Sequence, residues 1–428
     1  MSRLEKLIVE GGSRLTGTVR VSGAKNSALA IIVAAALAES ECLLHNIPDE
    51  TDVRAIIEIL NELGVTSEWA GPNSLCLSGA RLRSYQAPYE LVRRMRASFY
   101  VAGLLLARVG KAEVPLPGGC SIGSRPVDFH IKGFQALGAD VAISHGMMKA
   151  EATKLTGTKI YINRSSVGTT VNVMLAASLA EGQTILENAA KEPEIVDLAI
   201  FLSAMGAKVK GAGTNVIKIE GVKRLGGTEY TIIPDRVEAG TLMIAAACTR
   251  GDVVVADVVP EHLRSVVLNL QEAGVKVEED VSSFHVSCPE RPKAVDAETA
   301  PYPGFPTDLQ QPFVALMATA DGTSIIRETI FDRFRYVDEL RRMGADIKVD
   351  RETAIVRGVE RLTGAPVEAT DLRAGAALLC AALGAEGRTE MVGVEHIERG
   401  YEQIDEKLIA LGARLSRVHE EGEWPSTE

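Results

Sequence analysis

One cysteine of six stands in a segment that could do chemistry. Cys120 lies within Pro115-Leu-Pro-Gly-Gly-Cys-Ser-Ile-Gly-Ser-Arg-Pro-Val-Asp128, a run whose prolines and glycines exclude both a helix and a central strand. Such a run is a loop, and its glycines let backbone approach a ligand closely. Arg125, five residues on, would stabilise a thiolate or bind an anion. On residue type alone an unreactive loop cysteine is the commoner reading, and the rest of the chain is what favours a reactive one. Cys42, Cys76, Cys248, Cys288 and Cys380 sit in mostly apolar company and read as small core hydrophobes.

The elements that must hold this loop follow from a repeated phrase. Leu63-Gly-Val65, Leu137-Gly-Ala139, Met205-Gly-Ala207, Ala273-Gly-Val275, Met343-Gly-Ala345 and Leu411-Gly-Ala413 recur every 68 to 74 residues. That regularity signals internal duplication. Each repeat opens with a polar loop and a helix of small apolar residues, such as Ala28 to Ala38 or Val171 to Ala180. A β-branched strand follows, as in Thr184 to Glu187 or Asp252 to Val255. A second loop and helix come next, for instance Ile195 to Met205, with the periodic glycine as its C-cap. An alternating strand, such as Ala207 to Lys210, closes the unit.

Six loops precede the first helix of each repeat: residues 22–26, 93–98, 165–169, 234–237, 305–308 and 370–373. Helix N-termini expose unpaired N–H groups and a positive dipole end, so they bind anions. Lys25, Arg96, Arg236 and Arg373 stand beside four of them. Any one of these could simply cap or solubilise; several at equivalent repeat positions are less easily dismissed as that. Arg333 and Arg399 fall in the last two loops of the second set.

The bulk numbers bound the answer. A chain of 428 residues implies two domains or more, and 46% apolar with 24% charged residues is ordinary for a globular protein. A net charge of −11 argues against a nucleic-acid or general membrane-surface binder. No signal peptide or apolar run of 18 residues is present, so a cytoplasmic location with reduced thiols is expected. The seven histidines show no metal-ligand spacing, and no C-x-x-C or H-E-x-x-H occurs. Ser22-Gly-Ala-Lys25 matches S-x-x-K but lacks the companion motifs of an acyl-enzyme. No P-loop or G-x-G-x-x-G is present.

Six segments occur in one order: Ser22-Gly-Ala-Lys-Asn26, Leu116-Pro-Gly-Gly-Cys-Ser-Ile-Gly-Ser-Arg-Pro-Val-Asp128, Glu192-Pro-Glu-Ile-Val-Asp197, Phe305-Pro-Thr-Asp308, Ala369-Thr-Asp-Leu-Arg373 and Arg399-Gly-Tyr401. Together, from about residue 4 to about 418, they resemble the UDP-N-acetylglucosamine 1-carboxyvinyltransferases, a branch of the enolpyruvyl transferases. The shikimate-pathway branch shares the fold without this cysteine loop. The resemblance implies an α/β fold of two inverted α/β barrels, six βαββαβ repeats in pseudo-threefold groups, helices inside and sheets outside. It implies a discontinuous domain of residues 1–22 and 235–420, a second of 23–234, a catalytic cleft between them, and a fraying tail of 421–428.

The implied reaction moves an enolpyruvyl group from phosphoenolpyruvate to the 3-hydroxyl of UDP-N-acetylglucosamine, by addition and elimination, releasing phosphate. It needs no cofactor and no metal, and it opens peptidoglycan precursor synthesis. By the same resemblance Lys25, Arg125 and Arg399 grip the phosphoenolpyruvate phosphate, and Arg333 and Arg373 face its carboxylate. Cys120 is the general acid, forms a covalent phospholactoyl adduct, and is alkylated by the epoxide fosfomycin. Closure of its loop would exclude water. Asp308 stands by the sugar hydroxyl. Set among arginines it is expected to have a low pKa, which favours positioning over proton transfer. Asn26, Arg96, Arg125, Pro126, Val127, Asp128, Arg164, Ser166, Gly168 and the Glu328-Thr-Ile330 run are implied to line the nucleotide-sugar pocket, with Asp371 beside Arg373.

The segment Thr329-Ile-Phe-Asp-Arg-Phe334 is one residue shorter than the family pattern, which puts the place of Arg333 in question. Tyr100 replaces a common tryptophan and Arg164 a common lysine. Two other readings follow: the same transfer onto another nucleotide, which the intact sugar-side segments disfavour, and a silent paralogue that only binds the nucleotide sugar. Retention of Lys25, Cys120, Asp308, Asp371 and Arg399 disfavours the second.

Overall fold

A computed structural model describes residues 4–93, 95–116 and 127–420. Cys120, Arg125, Pro126 and the tail 421–428 lie outside the described residues. The chain divides into two compact units and passes between them at 22/23 and again at 233/234. The described residues up to 22 and from 234 onward form one unit, and those between 23 and 233 form the other.

Each unit is built on three helices with almost no exposed face. In the first they are Arg236–Cys248, Thr307–Met317 and Leu372–Gly384. In the second they are Lys25–Ala35, Val101–Val109 and Val167–Ala177. They are rich in Ala and Gly because they are surrounded: small side chains let the axes approach. A Cβ on Gly240, for instance, would lie 2.3 Å from the Leu309 side chain of the neighbouring helix. The helix expected at 28–38 runs instead from Lys25 to Ala35. It starts early because extended Ala24 ends the preceding segment with no side-chain cap to mark it.

Six sheets surround these helices; among the described residues five have four strands and one has three. Their strands alternate buried and outward residues, as in Asp252–Ala256 and Arg388–Val392. The repeat is visible in the pairing. Strand Cys42–His45 pairs in parallel with Glu229–Thr231 and antiparallel with Ser74–Ser78. Asp252–Ala256 pairs in the same way with Thr16–Arg20 and Ser283–Ser287. In each unit, a strand next to a crossing point thus completes a sheet with a strand from far along the chain. Strand Leu4–Glu10 lies between Arg388–Val392 and Arg414–Glu420, completing the sixth repeat with the first strand of the chain. In the three-stranded sheet, a single parallel bridge between Gln86 and Glu113 stands where the fourth strand would be.

All six periodic glycines adopt left-handed backbone, with φ between 86° and 103°. At each, the following N–H reaches back five residues, as Val65 to Leu60 (2.9 Å) and Ala413 to Leu408 (3.0 Å). That bond terminates the outer helix and turns the chain into the next strand.

Candidate functional site

The first unit gathers charge around Asp308, the second residue of helix Thr307–Met317. One guanidinium nitrogen of Arg333 donates to Asp308 Oδ1 at 2.6 Å and to the Thr307 carbonyl at 3.0 Å. Arg373 donates to Asp308 Oδ2 at 3.0 Å. Both arginine side chains are 5% exposed, whereas that of Asp308 is 23% exposed, so the carboxylate can be reached from solvent. Burial pushes the Asp308 carboxyl up, but Arg373 and Arg333, helped by Arg236, hold it well below the usual carboxylate range. Two guanidiniums against one carboxylate leave a net positive site. The buried Nε of Arg333 has no hydrogen-bond partner among the described residues. This combination suits an anionic ligand.

Three further groups fix this arrangement. Asp371 caps helix Leu372–Gly384, accepting from the N–H groups of Arg373 and Ala374 at 2.9 and 3.0 Å. Its observed work is to set the helix start that carries Arg373. Tyr401 lies under the Arg373 guanidinium, 5.3 Å from ring centroid to Cζ, and is held by Thr241 at 2.9 Å. Glu328 is fully buried rather than turned to a pocket. It accepts from Thr299, Thr307 and the N–H groups of Ile330 and Phe331, all at 2.9 to 3.1 Å. By these bonds the short segment 329–333 is anchored beside the start of the Asp308 helix, and Arg333 reaches Asp308 despite the missing residue. Arg399 ends the short helix Val394–Arg399 in the same unit and is half-buried.

In the second unit Lys25 is the first residue of helix Lys25–Ala35, a cation at the positive end of a dipole. Asp52, at the start of helix Thr51–Glu62, pairs with it at 2.7 Å, the two side chains being 9% and 5% exposed. Sequence reasoning missed Asp52, since nothing local marks a partner so far along the chain. Asn26 follows Lys25, half-buried. Ser27 donates to Asp197, which also takes the Tyr230 hydroxyl at 2.5 Å and the Ile233 N–H at 3.3 Å. The Glu192–Asp197 motif therefore anchors the Lys25 helix.

Further along the second unit, two expected residues, Arg96 and Gly168, lie near His130. Arg96 opens the short helix Arg96–Tyr100, and Val127 and Asp128 begin helix Asp128–Ala136. Ser166 caps helix Val167–Ala177, its hydroxyl accepting from Thr169 N–H at 3.3 Å. The His130 ring packs edge-on against Phe99 at 5.1 Å and lies beside Gly168, which also neighbours Tyr100. One carboxylate oxygen of Asp128 is buried without a partner among the described residues. Arg164 is exposed just ahead of this helix start. No group of three or more His, Cys, Asp or Glu suited to a metal occurs among the described residues, and none of their helices is long and apolar enough to cross a membrane.

Comparison with known proteins places this geometry in a lineage. The EPSP synthase (3-phosphoshikimate 1-carboxyvinyltransferase) family matches residues 9–408. The chain is 58% identical, over 96% of its length and 98% of the relative's, to UDP-N-acetylglucosamine 1-carboxyvinyltransferase 2 of Symbiobacterium thermophilum. It is 53% identical, over 96% of its length and 99% of the relative's, to UDP-N-acetylglucosamine 1-carboxyvinyltransferase 1 of Caldanaerobacter subterraneus subsp. tengcongensis. Among solved structures it is similar to the enolpyruvyl transferase NikO from Streptomyces tendae. That match has a TM-score of 0.89 and 26% identity, covering 98% of this chain and 100% of the other.

Proposed function

The chain belongs to the EPSP synthase family and, within it, to the UDP-N-acetylglucosamine 1-carboxyvinyltransferases, and from that premise we propose how its residues divide the work. The enzyme transfers the enolpyruvyl group of phosphoenolpyruvate to the 3-hydroxyl of UDP-N-acetylglucosamine, releasing phosphate, in peptidoglycan precursor synthesis. The observation that carries this reading is 58% identity sustained over 96% of the chain.

The reaction sets a highly anionic substrate against an anionic nucleotide sugar, so cations must be held ready. Arg333 and Arg373 are preorganised by Asp308 and bind the phosphoenolpyruvate carboxylate. Lys25, steadied by Asp52, joins Arg125 and Arg399 on the phosphate. Cys120 protonates the methylene carbon, and its phospholactoyl adduct is a side or release state. Asp308, fixed by two guanidiniums, orients the sugar hydroxyl; its low basicity suits positioning better than proton abstraction. Ile330 and Asp371 stand with this set. Asn26, Arg96, Pro126, Val127, Asp128, Arg164, Ser166 and Gly168 bind the nucleotide sugar.

The same proposal includes a cytoplasmic location, a part in cell shape and division, and inhibition by fosfomycin at Cys120. Phosphate release from phosphoenolpyruvate, with and without UDP-N-acetylglucosamine and before and after fosfomycin, tests it. Sugar-dependent release abolished by fosfomycin is the expected result. Nucleotide-sugar binding without any release would overturn the reading and identify a silent paralogue.

A further inference from the structure

His130 is 5% exposed, yet one of its ring nitrogens is left over. Nδ1 lies 2.9 Å from Asn172 Nδ2, and Nε2 has no hydrogen-bond partner among the described residues. The orientation of the Asn172 amide is fixed by its other neighbours. Its Oδ1 accepts from Gly103 N–H at 2.9 Å, and its Nδ2 donates to the Phe99 carbonyl at 3.1 Å. Turning the amide over would set donor against donor and acceptor against acceptor. Nδ2 must therefore be the donor to His130, and Nδ1 the acceptor. A neutral imidazole that accepts at Nδ1 carries its proton at Nε2.

The edge bearing Nε2 faces Gly168: a Cβ there would stand 3.3 Å from Cε1 and 3.4 Å from Nε2. Gly168 is the second residue of helix Val167–Ala177, whose first N–H groups lack intrahelical partners. Arg96 is close enough for its charge to act on the ring. Helix start, arginine and N–H donor all favour anionic oxygen. Burial, reinforced by Arg96, pushes the imidazole pKa down to about 3, so the ring stays neutral and its tautomer is meaningful.

We propose that His130 is a fixed hydrogen-bond donor to a diphosphate oxygen of the nucleotide sugar, and that Asn172 is the positioning residue that makes it one. This rests on the nucleotide-sugar reading of residues 166–168 given above. Asn172→Asp keeps the shape but turns the partner of Nδ1 into an acceptor. The proton then moves to Nδ1 and the donor at Nε2 is lost.

Nitrogen-15 spectra of the histidine rings and steady-state kinetics test this together. The wild-type His130 signal should show the Nε2–H tautomer, and Asn172→Asp the Nδ1–H form. Asn172→Asp and His130→Phe should raise KM for UDP-N-acetylglucosamine about tenfold, with kcat and KM for phosphoenolpyruvate within about twofold. His130→Gln, which restores an N–H near Nε2, should recover most of that affinity. An Nδ1–H tautomer in the wild type, or an unchanged KM in His130→Phe, would overturn the proposal. Should the wild type release no phosphate at all, the reaction reading falls. The tautomer and the calorimetric affinity for UDP would then decide this inference alone.

Discussion

Arg333 holds Asp308 and the carbonyl of Thr307, the residue before it, through a single guanidinium nitrogen, at 2.6 and 3.0 Å. The loop arginine thus clasps the first turn of helix Thr307–Met317 and sets the direction of the carboxylate at once. Arg373 takes the other carboxylate oxygen from a different repeat. The three groups form a unit in which each arginine owes its position to the aspartate, and the reverse.

Asp308→Asn removes the charge and keeps the shape, leaving two buried guanidiniums without the carboxylate they share. Stability at neutral pH should fall by about 3 kcal/mol, the lower end for a broken buried pair, because Asp308 is 23% exposed. The pH dependence follows from the depressed carboxyl. Its contribution is fully present above the unfolded value near 4 and is lost as pH falls toward the lower folded value. The variant should therefore lose less stability than the wild type on acidification below about pH 4. Its kcat should drop by about a hundredfold as the sugar hydroxyl loses its guide. Denaturant titrations at pH 7 and pH 3, with a kinetic assay, check all three. Equal acid sensitivity in both proteins would show that Asp308 is not paired as observed.

The periodic glycines allow a cleaner separation of strain from contact. Gly206 has φ 103° and nothing within 4 Å of the point where an alanine Cβ would stand. At Gly64, with φ 100°, the same Cβ would meet the Arg81 carbonyl oxygen at 2.5 Å. Gly206→Ala should cost about 1 kcal/mol, the left-handed backbone penalty alone. Gly64→Ala should cost clearly more, since backbone must move. Neither should change kcat at temperatures where both are folded. Thermal and denaturant unfolding of the two variants provide the comparison. Equal losses at the two sites would mean that backbone conformation, not the close approach, sets the cost.

What the sequence made legible was whatever is local. The Leu-Gly-Ala phrases are visible because a helix stop needs a left-handed residue at one position, and that need recurs six times. Lys25, Arg373 and Asp371 stand out because charge at a helix start is a local anomaly. Asp52 was invisible because its partner Lys25 lies in another helix, and the His130–Asn172 pair because 42 residues separate its members. Glu328 was noticed for its neighbours, but its own burial under Thr299 and Thr307 depends on tertiary packing that no motif encodes. The shortened segment before Phe334 cast doubt on Arg333, since spacing alone does not reveal that Glu328 re-anchors the loop.

Cys120 lies outside the described residues, so its chemistry is tested by substitution. A general acid needs a proton at working pH and a position by the methylene carbon; a fosfomycin target needs a nucleophilic sulfur. Cys120→Asp separates these demands. A carboxyl group can donate a proton but is a poor nucleophile toward an epoxide. The variant should keep measurable turnover, with an acid-shifted pH optimum reflecting the lower ordinary pKa of a carboxyl group. Fosfomycin should leave it active where the wild type is silenced. Phosphate-release assays across pH, with and without the epoxide, provide the measurement. A folded Cys120→Asp protein with no turnover at any pH would show that the sulfur does more than carry a proton, and would return the covalent adduct to the main route.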